Sequence, residues 1–216
     1  MSKAEVKKKV SRIKSTKKAW FRIISPKMFG QKEIGEAYLA NAELAVNRFV
    51  KVNLRELSGN IKDQNAYLRF QITHAAGSAL ETKVTGYELT ASYIKRMVRK
   101  NCDRMDDYFV IVTKDGIKLV LKTFMLTTHK THRSVQIQLR AMLQKGIREE
   151  AAKTDFEAFM LSVAGSKIQF GLRRKLSKIY PLKDVAFRVL EVKGTGTPEA
   201  IVEEPVAAAV EVQEEN

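Results

Sequence analysis

Tyr108-Phe109-Val110-Ile111-Val112-Thr113, then Lys114-Asp115-Gly116-Ile117, then the return from Lys118 to Met125, is the stretch that decides the fold. Aromatic and β-branched residues crowd the first run, as a pleated, half-buried surface requires. Asp115-Gly116 is the favoured pair for a two-residue type I′ hairpin turn, where both central residues take positive φ. In the return, Ile117, Leu119 and Leu121 alternate with Lys118, Val120 and Lys122. One face of the hairpin is therefore expected to be buried and the other to be partly wet and basic.

Working outward, more strands appear on the N-terminal side. Val46 to Val52 alternates through Phe49, Val50 and Val52, while Leu68, Phe70 and Ile72 share a face opposite Arg69, Gln71 and Thr73. Ser58-Gly59-Asn60 and Asp63-Gln64-Asn65 are turn chemistry between them. Leu182 to Val192 reads as a last, buried strand.

Helical spacing fills the remainder. Thr90 is placed to cap a helix through about Asn101, with Ile94, Met97 and Val98 inward and Lys95, Arg96, Arg99 and Lys100 outward. Ser134 opens a longer helix bearing Val135, Leu139, Met142 and Leu143. Thr154-Asp155-Phe156-Glu157 has the capping-box pattern, followed by an apolar stripe of Phe156, Phe159, Met160 and Val163 and a terminating Gly165. A further helix near Lys167–Lys178 is stopped by Pro181. Strands interleaved with these helices make an α+β protein.

Charge says what such a fold meets. The chain has a formal net charge of +15, yet residues 194–216 contain no Lys or Arg and six glutamates, which leaves +21 on residues 1–193. A body that basic repels itself unless a polyanion is its partner, and counterion release makes nucleic acid the usual one. Residues 1–19 carry eight basic residues against one glutamate, a basic flexible arm; 20–193 form the globular part; 194–216 read as a disordered acidic tail. Trp20 and Phe21 either anchor the arm on the core, the preferred reading, or stack on bases.

The candidate RNA-binding residues are four basic groups. They are Lys7, Lys8, Lys9, Arg12, Lys14, Lys17 and Lys18 of the arm; Lys95, Arg96, Arg99 and Lys100; Lys130, Arg133 and Arg140; and Arg173, Arg174, Lys175 and Lys178. Arginine's planar fork suits bidentate phosphate contact. With no RNA-recognition signature in the sequence, shape recognition of structured RNA fits better than base readout.

Catalytic chemistry is thin. His129 and His132 make only two ligands where a metal needs three or four, and His74 and Cys102 have no supporting spacing. Asp103, Asp106 and Asp107 could suggest a Mg²⁺-dependent RNA-processing enzyme, but a solvated loop before a strand is the better reading. Gly194-Thr195-Gly196-Thr197-Pro198 lacks the lysine and helix of a phosphate loop. The single cysteine excludes an internal disulfide, no run of about 18 apolar residues exists, and the polar start lacks a signal peptide's apolar core. No cofactor, metal or membrane partner is expected, and the cytoplasm is the expected compartment.

Beyond these patterns, seven segments in order resemble one family. They are Lys18-Ala19-Trp20-Phe21, Ser25-Pro26-Lys27-Met28-Phe29, Arg69-Phe70-Gln71-Ile72-Thr73, Gly86-Tyr87-Glu88-Leu89-Thr90, Met97-Val98-Arg99-Lys100, Val112-Thr113-Lys114-Asp115-Gly116 and Ile179-Tyr180-Pro181-Leu182-Lys183-Asp184-Val185. Over roughly residues 17–193 the chain is similar to the archaeal and eukaryotic small-subunit ribosomal proteins of the S-one-e (S-three-A-e) family. The resemblance implies an antiparallel, β-barrel-like sheet core with flanking helices. It implies a non-catalytic structural role on the platform of the small subunit, near the 3′ end of the ribosomal RNA and the messenger exit. Partners would be that RNA, neighbouring platform proteins and messenger RNA near the exit. The rival readings are an RNA-processing enzyme and a free RNA chaperone.

Overall fold

The computed structural model describes residues 17–195; the expectations for the arm up to residue 16 and for the acidic segment from residue 196 fall outside them. In chain order the elements are β1 (Ala19–Ile24), β2 (Glu33–Leu39), β3 (Phe49–Asn53), α1 (Leu54–Ser58), β4 (Ala66–Ala76), β5 (Ala79–Leu89) and α2 (Ala91–Met97). There follow β6 (Arg104–Val112), β7 (Ile117–Thr127), α3 (Arg133–Lys153), α4 (Phe156–Ala164), α5 (Lys167–Leu176) and β8 (Leu182–Thr195). Short 3₁₀ turns at Lys27–Phe29, Ala42–Ala45 and Ile61–Asn65 bridge the early strands.

All eight strands join one mixed sheet, which is not closed. The path runs β2-β1-β5-β8-β7-β6, with β4 and β3 added on the other side of β5. This corrects the barrel-like expectation. Closure needs every strand to have two partners, but β2 pairs only with β1, β3 only with β4 and β6 only with β7. The cause lies in β5. One of its edges pairs with β4 throughout; the other is divided, with Ala79–Glu81 running parallel to β1 and Gly86–Glu88 antiparallel to β8. The sheet therefore forks there. The branch point also explains Gly86: a Cβ at that position would lie 2.7 Å from the Leu190 carbonyl oxygen of β8.

The deciding hairpin forms, with Val112 opposite Lys118 and Arg104 opposite Leu126. Its turn differs from the type I′ expectation. Gly116 has φ 73°, but Asp115 is not among the positive-φ residues. The Gly116 N–H donates to the Thr113 carbonyl at 3.0 Å and the Thr113 N–H to the Ile117 carbonyl at 3.1 Å, which makes a three-residue loop closed by a left-handed glycine. Asp115 is thereby free for another task. Its Oδ2 accepts the Phe156 N–H at 2.7 Å at the start of α4. The expected capping box is not made, because the Thr154 hydroxyl turns back to donate to the Glu150 carbonyl at 2.8 Å.

The core fills the space between the sheet and helices α3 to α5. Helix α3 contributes Leu139, Leu143, Ile147 and Ala151, one stripe at a spacing of four. Met142 lies off that stripe and is exposed. Phe156, Phe159, Met160 and Val163 of α4 and Leu172 and Leu176 of α5 meet buried Leu119, Leu121, Phe187 and Leu190. A smaller cluster of Ile23, Leu39, Ala45, Ile72 and Leu80 sits beneath β1 and β2. Leu68, Phe70 and Ile72 are buried as the alternation requires.

Helix α2 stops at Met97 rather than near Asn101. Val98 is already extended, Asn101 is left-handed with φ 65°, and the Lys183 ammonium donates to the Met97 carbonyl at 3.1 Å, satisfying a free helix-end acceptor. Arg99 and Lys100 consequently sit on a loop.

Candidate nucleic-acid interface

Antiparallel pairing brings the start of β6, the end of β7 and the start of β8 to the same end of the sheet, with Arg104 opposite Leu126 and Leu126 opposite Asp184. Three loops therefore converge there: 98–103, 128–132 and 177–181. Hydrogen bonds lock them together. Thr127 N–H donates to the Asp103 carbonyl at 3.0 Å, and Thr128 gives both its N–H and its hydroxyl to the Pro181 carbonyl, at 3.2 and 3.0 Å. Tyr180 Oη donates to the Lys130 carbonyl at 3.5 Å, and half-buried Cys102 gives its thiol to the Thr128 carbonyl at 3.4 Å.

This junction gathers parts of three sequence-distant basic groups. Arg99 and Lys100 come from the first loop, Lys130 and Arg133 from the second and the start of α3, and Lys178 from the third; all five are exposed. Among the described residues none of the five is in an ion pair, nor are Lys95, Arg96 and Arg174. Unpaired cations on rigidly tied loops can meet phosphates without first breaking an internal bridge.

Other candidates are partly committed to the protein. Arg140 Nε is 3.1 Å from Asp107 Oδ1, Lys175 Nζ is 3.4 Å from Glu150 Oε1, and half-buried Arg173 donates Nε to the Leu182 carbonyl at 3.3 Å. Arg96 lies over the Tyr93 ring and reaches Asn65 Oδ1 at 3.4 Å. Lys17 and Lys18 are exposed, while Lys7, Lys8, Lys9, Arg12 and Lys14 lie outside the described residues. Trp20 does not enter the core. It is 63% exposed and stacks on Tyr38 of β2 at 4.8 Å, with the Lys18 ammonium over the Tyr38 ring. Lys183, which ties α2 to this junction, was not among the candidates, since a lysine inside a strand read as buried gives no sequence signal for reaching a helix end.

The three aspartates do not converge on a metal. Asp103 Oδ2 accepts the Thr131 N–H at 2.6 Å, the Thr131 hydroxyl at 3.1 Å and Gln136 Nε2 at 3.1 Å. Asp106 pairs with Arg104 at 2.6 Å and Asp107 with Arg140. Among the described residues no group of three or more His, Cys, Asp or Glu is placed to hold a metal ion. Burial raises the Asp107 pKa, against the pull of Arg140, with Asp106 adding to the rise.

Asp103 is held below the usual carboxylate range, chiefly by the Thr131 N–H; desolvation opposes this, and the Thr131 hydroxyl, Gln136 and the charge of Lys130 add to the lowering. A depressed folded-state pKa means stability present above the unfolded value, about 3.9, and lost as pH falls through the folded one. Asp103→Asn should therefore lower the melting temperature at neutral pH and lessen its fall as pH drops below about 3.9. Parallel melting curves over that range check this; an unchanged acid slope would show that the carboxylate does not tie the loops.

The family comparison decides between the readings. The Ribosomal S3Ae family profile matches residues 5–195. The chain belongs to the ribosomal S3Ae family. It is 34% identical over 177 residues to the small ribosomal subunit protein eS1 of Methanothermobacter thermautotrophicus, covering 81% of this chain and 91% of that protein. The eS1 protein of Methanobrevibacter smithii is 35% identical over 185 residues, covering 86% and 95%, and that of Archaeoglobus fulgidus 31% over 208 residues, covering 94% and 98%. Membership in the S3Ae family makes this chain a structural ribosomal protein rather than an enzyme. The matched span takes in the whole described sheet and every converging loop.

Proposed function

We propose that this chain is a structural constituent of the small ribosomal subunit, placed on the platform near the 3′ end of the ribosomal RNA and the messenger exit. Its junction of loops 98–103, 128–132 and 177–181 would lie against RNA phosphates. The carrying observation is the convergence of Arg99, Lys100, Lys130, Arg133 and Lys178 from three distant segments, exposed and in no ion pair among the described residues. The relatives, named small ribosomal subunit proteins, support the subunit; the platform is what the family resemblance implies.

In this reading the arm residues Lys7, Lys8, Lys9, Arg12 and Lys14 extend the same electrostatic contact, adding affinity without sequence information. Neighbouring platform proteins and messenger RNA near the exit complete the surroundings, in the cytoplasm. Sedimentation of a lysate before and after a moderate salt wash tests the proposal. Stoichiometric migration with small subunits through the wash is expected. Migration at the top of the gradient would overturn it and favour a free RNA chaperone.

A further inference from the structure

Helix α5 buries Gln169, Leu172 and Leu176 and leaves Phe170 69% exposed. Between this helix and β5, α2 and β8 lies a cavity of about 170 Å³, open on one side and lined by Tyr87, Tyr93, Gln169, Phe170, Arg173 and Asp184. Its size is near that of the ~150 Å³ cavity known to hold a single benzene ring. The walls, however, are polar as well as aromatic.

Gln169 is only 6% exposed, and its Nε2 donates to the Val163 carbonyl at 2.9 Å, while its Oε1 has no donor among the described residues. Such an orphaned acceptor is uncommon and calls for a partner. Asp63, also in the lining, offers a second acceptor; Tyr87, buried to 6% exposure, offers a hydroxyl donor. Tyr93 donates its hydroxyl to Asp184 Oδ2 at 3.3 Å, so its ring is held in place. Lys62 and Arg173 add positive charge, and Arg96 bonds to Asn65 in the same wall.

We propose that this cavity receives one unstacked base of the ribosomal RNA. Phe170 supplies the stacking surface at the mouth, Gln169 Oε1 and Asp63 accept from the base, Tyr87 donates to it, and the flanking cations hold its phosphates. The inference rests on the RNA-binding reading and deepens it, adding one pocket for a splayed base to an interface otherwise built on phosphates. A flat aromatic wall beside hydrogen-bonding groups and cations matches an unpaired nucleotide better than an apolar side chain, which would leave the acceptors unsatisfied.

The test compares the full-length chain with Phe170→Ala, Phe170→Trp and Gln169→Leu in binding to small-subunit ribosomal RNA, at fixed salt and across a salt series. Phe170 is exposed, so its variants keep the parent melting temperature. The Val163 carbonyl retains the Ser166 N–H at 3.0 Å when Gln169 is lost. Phe170→Ala should weaken binding by about ten-fold, the loss typical of one base–aromatic stack, with the salt slope unchanged. Phe170→Trp should restore it, and Gln169→Leu should weaken it several-fold. Binding by Phe170→Ala within two-fold of the parent overturns the proposal. Normal RNA binding with impaired subunit incorporation also overturns it, in favour of a protein segment in the cavity. A parent chain that binds this RNA no better than an unrelated RNA of equal length would instead sink the RNA-binding reading itself.

Discussion

Simultaneous replacement of Arg99, Lys100, Lys130 and Arg133 by glutamine should lower the slope of log K against log salt concentration by about 3, because each phosphate contact contributes about 0.7–0.9 to that slope. Affinity at about 0.1 M salt should fall by roughly 100-fold or more. The four residues are exposed and make no ion pair among the described residues, so the loss cannot come from a broken internal bridge. A control quartet at Lys27, Arg48, Lys83 and Lys118, exposed and likewise in no ion pair among the described residues, removes the same charge elsewhere. Lys118 lies beside the turn of the β6–β7 hairpin, opposite Val112 and at the far end of those strands from the converging loops. Salt titrations of both quartets separate a positioned interface from diffuse attraction. Equal flattening by the two would mean that the convergence of loops has no special part in binding.

How much of this was legible in the sequence depends on the range of the interactions involved. The β6–β7 hairpin could be read because its signal is local: a β-rich run, a turn glycine and an alternating return. The α4 stripe of Phe156, Phe159, Met160 and Val163 was equally local and is buried as expected. The turn type was misread because Asp-Gly suits a two-residue loop, whereas here Lys114 joins the loop and Asp115 accepts the distant Phe156 N–H. Closure was misjudged for a related reason. Nothing in Ala79–Leu89 announces that one edge of β5 will be divided between β1 and β8, and that division is what opens the sheet. β1 and β2 were missed altogether. Their exposed face carries Trp20 and Tyr38, which stack on each other in solvent and spoil the apolar–polar alternation. At the candidate interface the cations were legible as composition, but their meeting was not, since it follows from strand order. Asp103, read as a solvated or metal-binding carboxylate, is instead the acceptor that fixes one loop against another.

Phe159→Ala should cost about 3–5 kcal/mol, the range for truncating a fully buried aromatic side chain, from a total that is commonly 5–15 kcal/mol. The melting temperature would then drop by about 10 °C for a chain of this size. Phe159 has no exposed surface and belongs to the cluster that joins α3, α4 and α5 to the sheet. Leu161, two residues along the same helix, is 42% exposed, and its truncation should change stability by less than about 1 kcal/mol. Chemical denaturation of the pair measures both. The contrast also bears on function, because α4 supports α5, which leads into the loop carrying Lys178. Loss of Phe159 should therefore reduce RNA binding through the unfolded fraction, leaving the salt slope of the folded fraction intact, whereas loss of Lys130 or Arg133 should change the slope and spare the melting temperature. If Phe159→Ala changed the slope at temperatures where the variant remains folded, α4 would have to position the interface as well as bury the core.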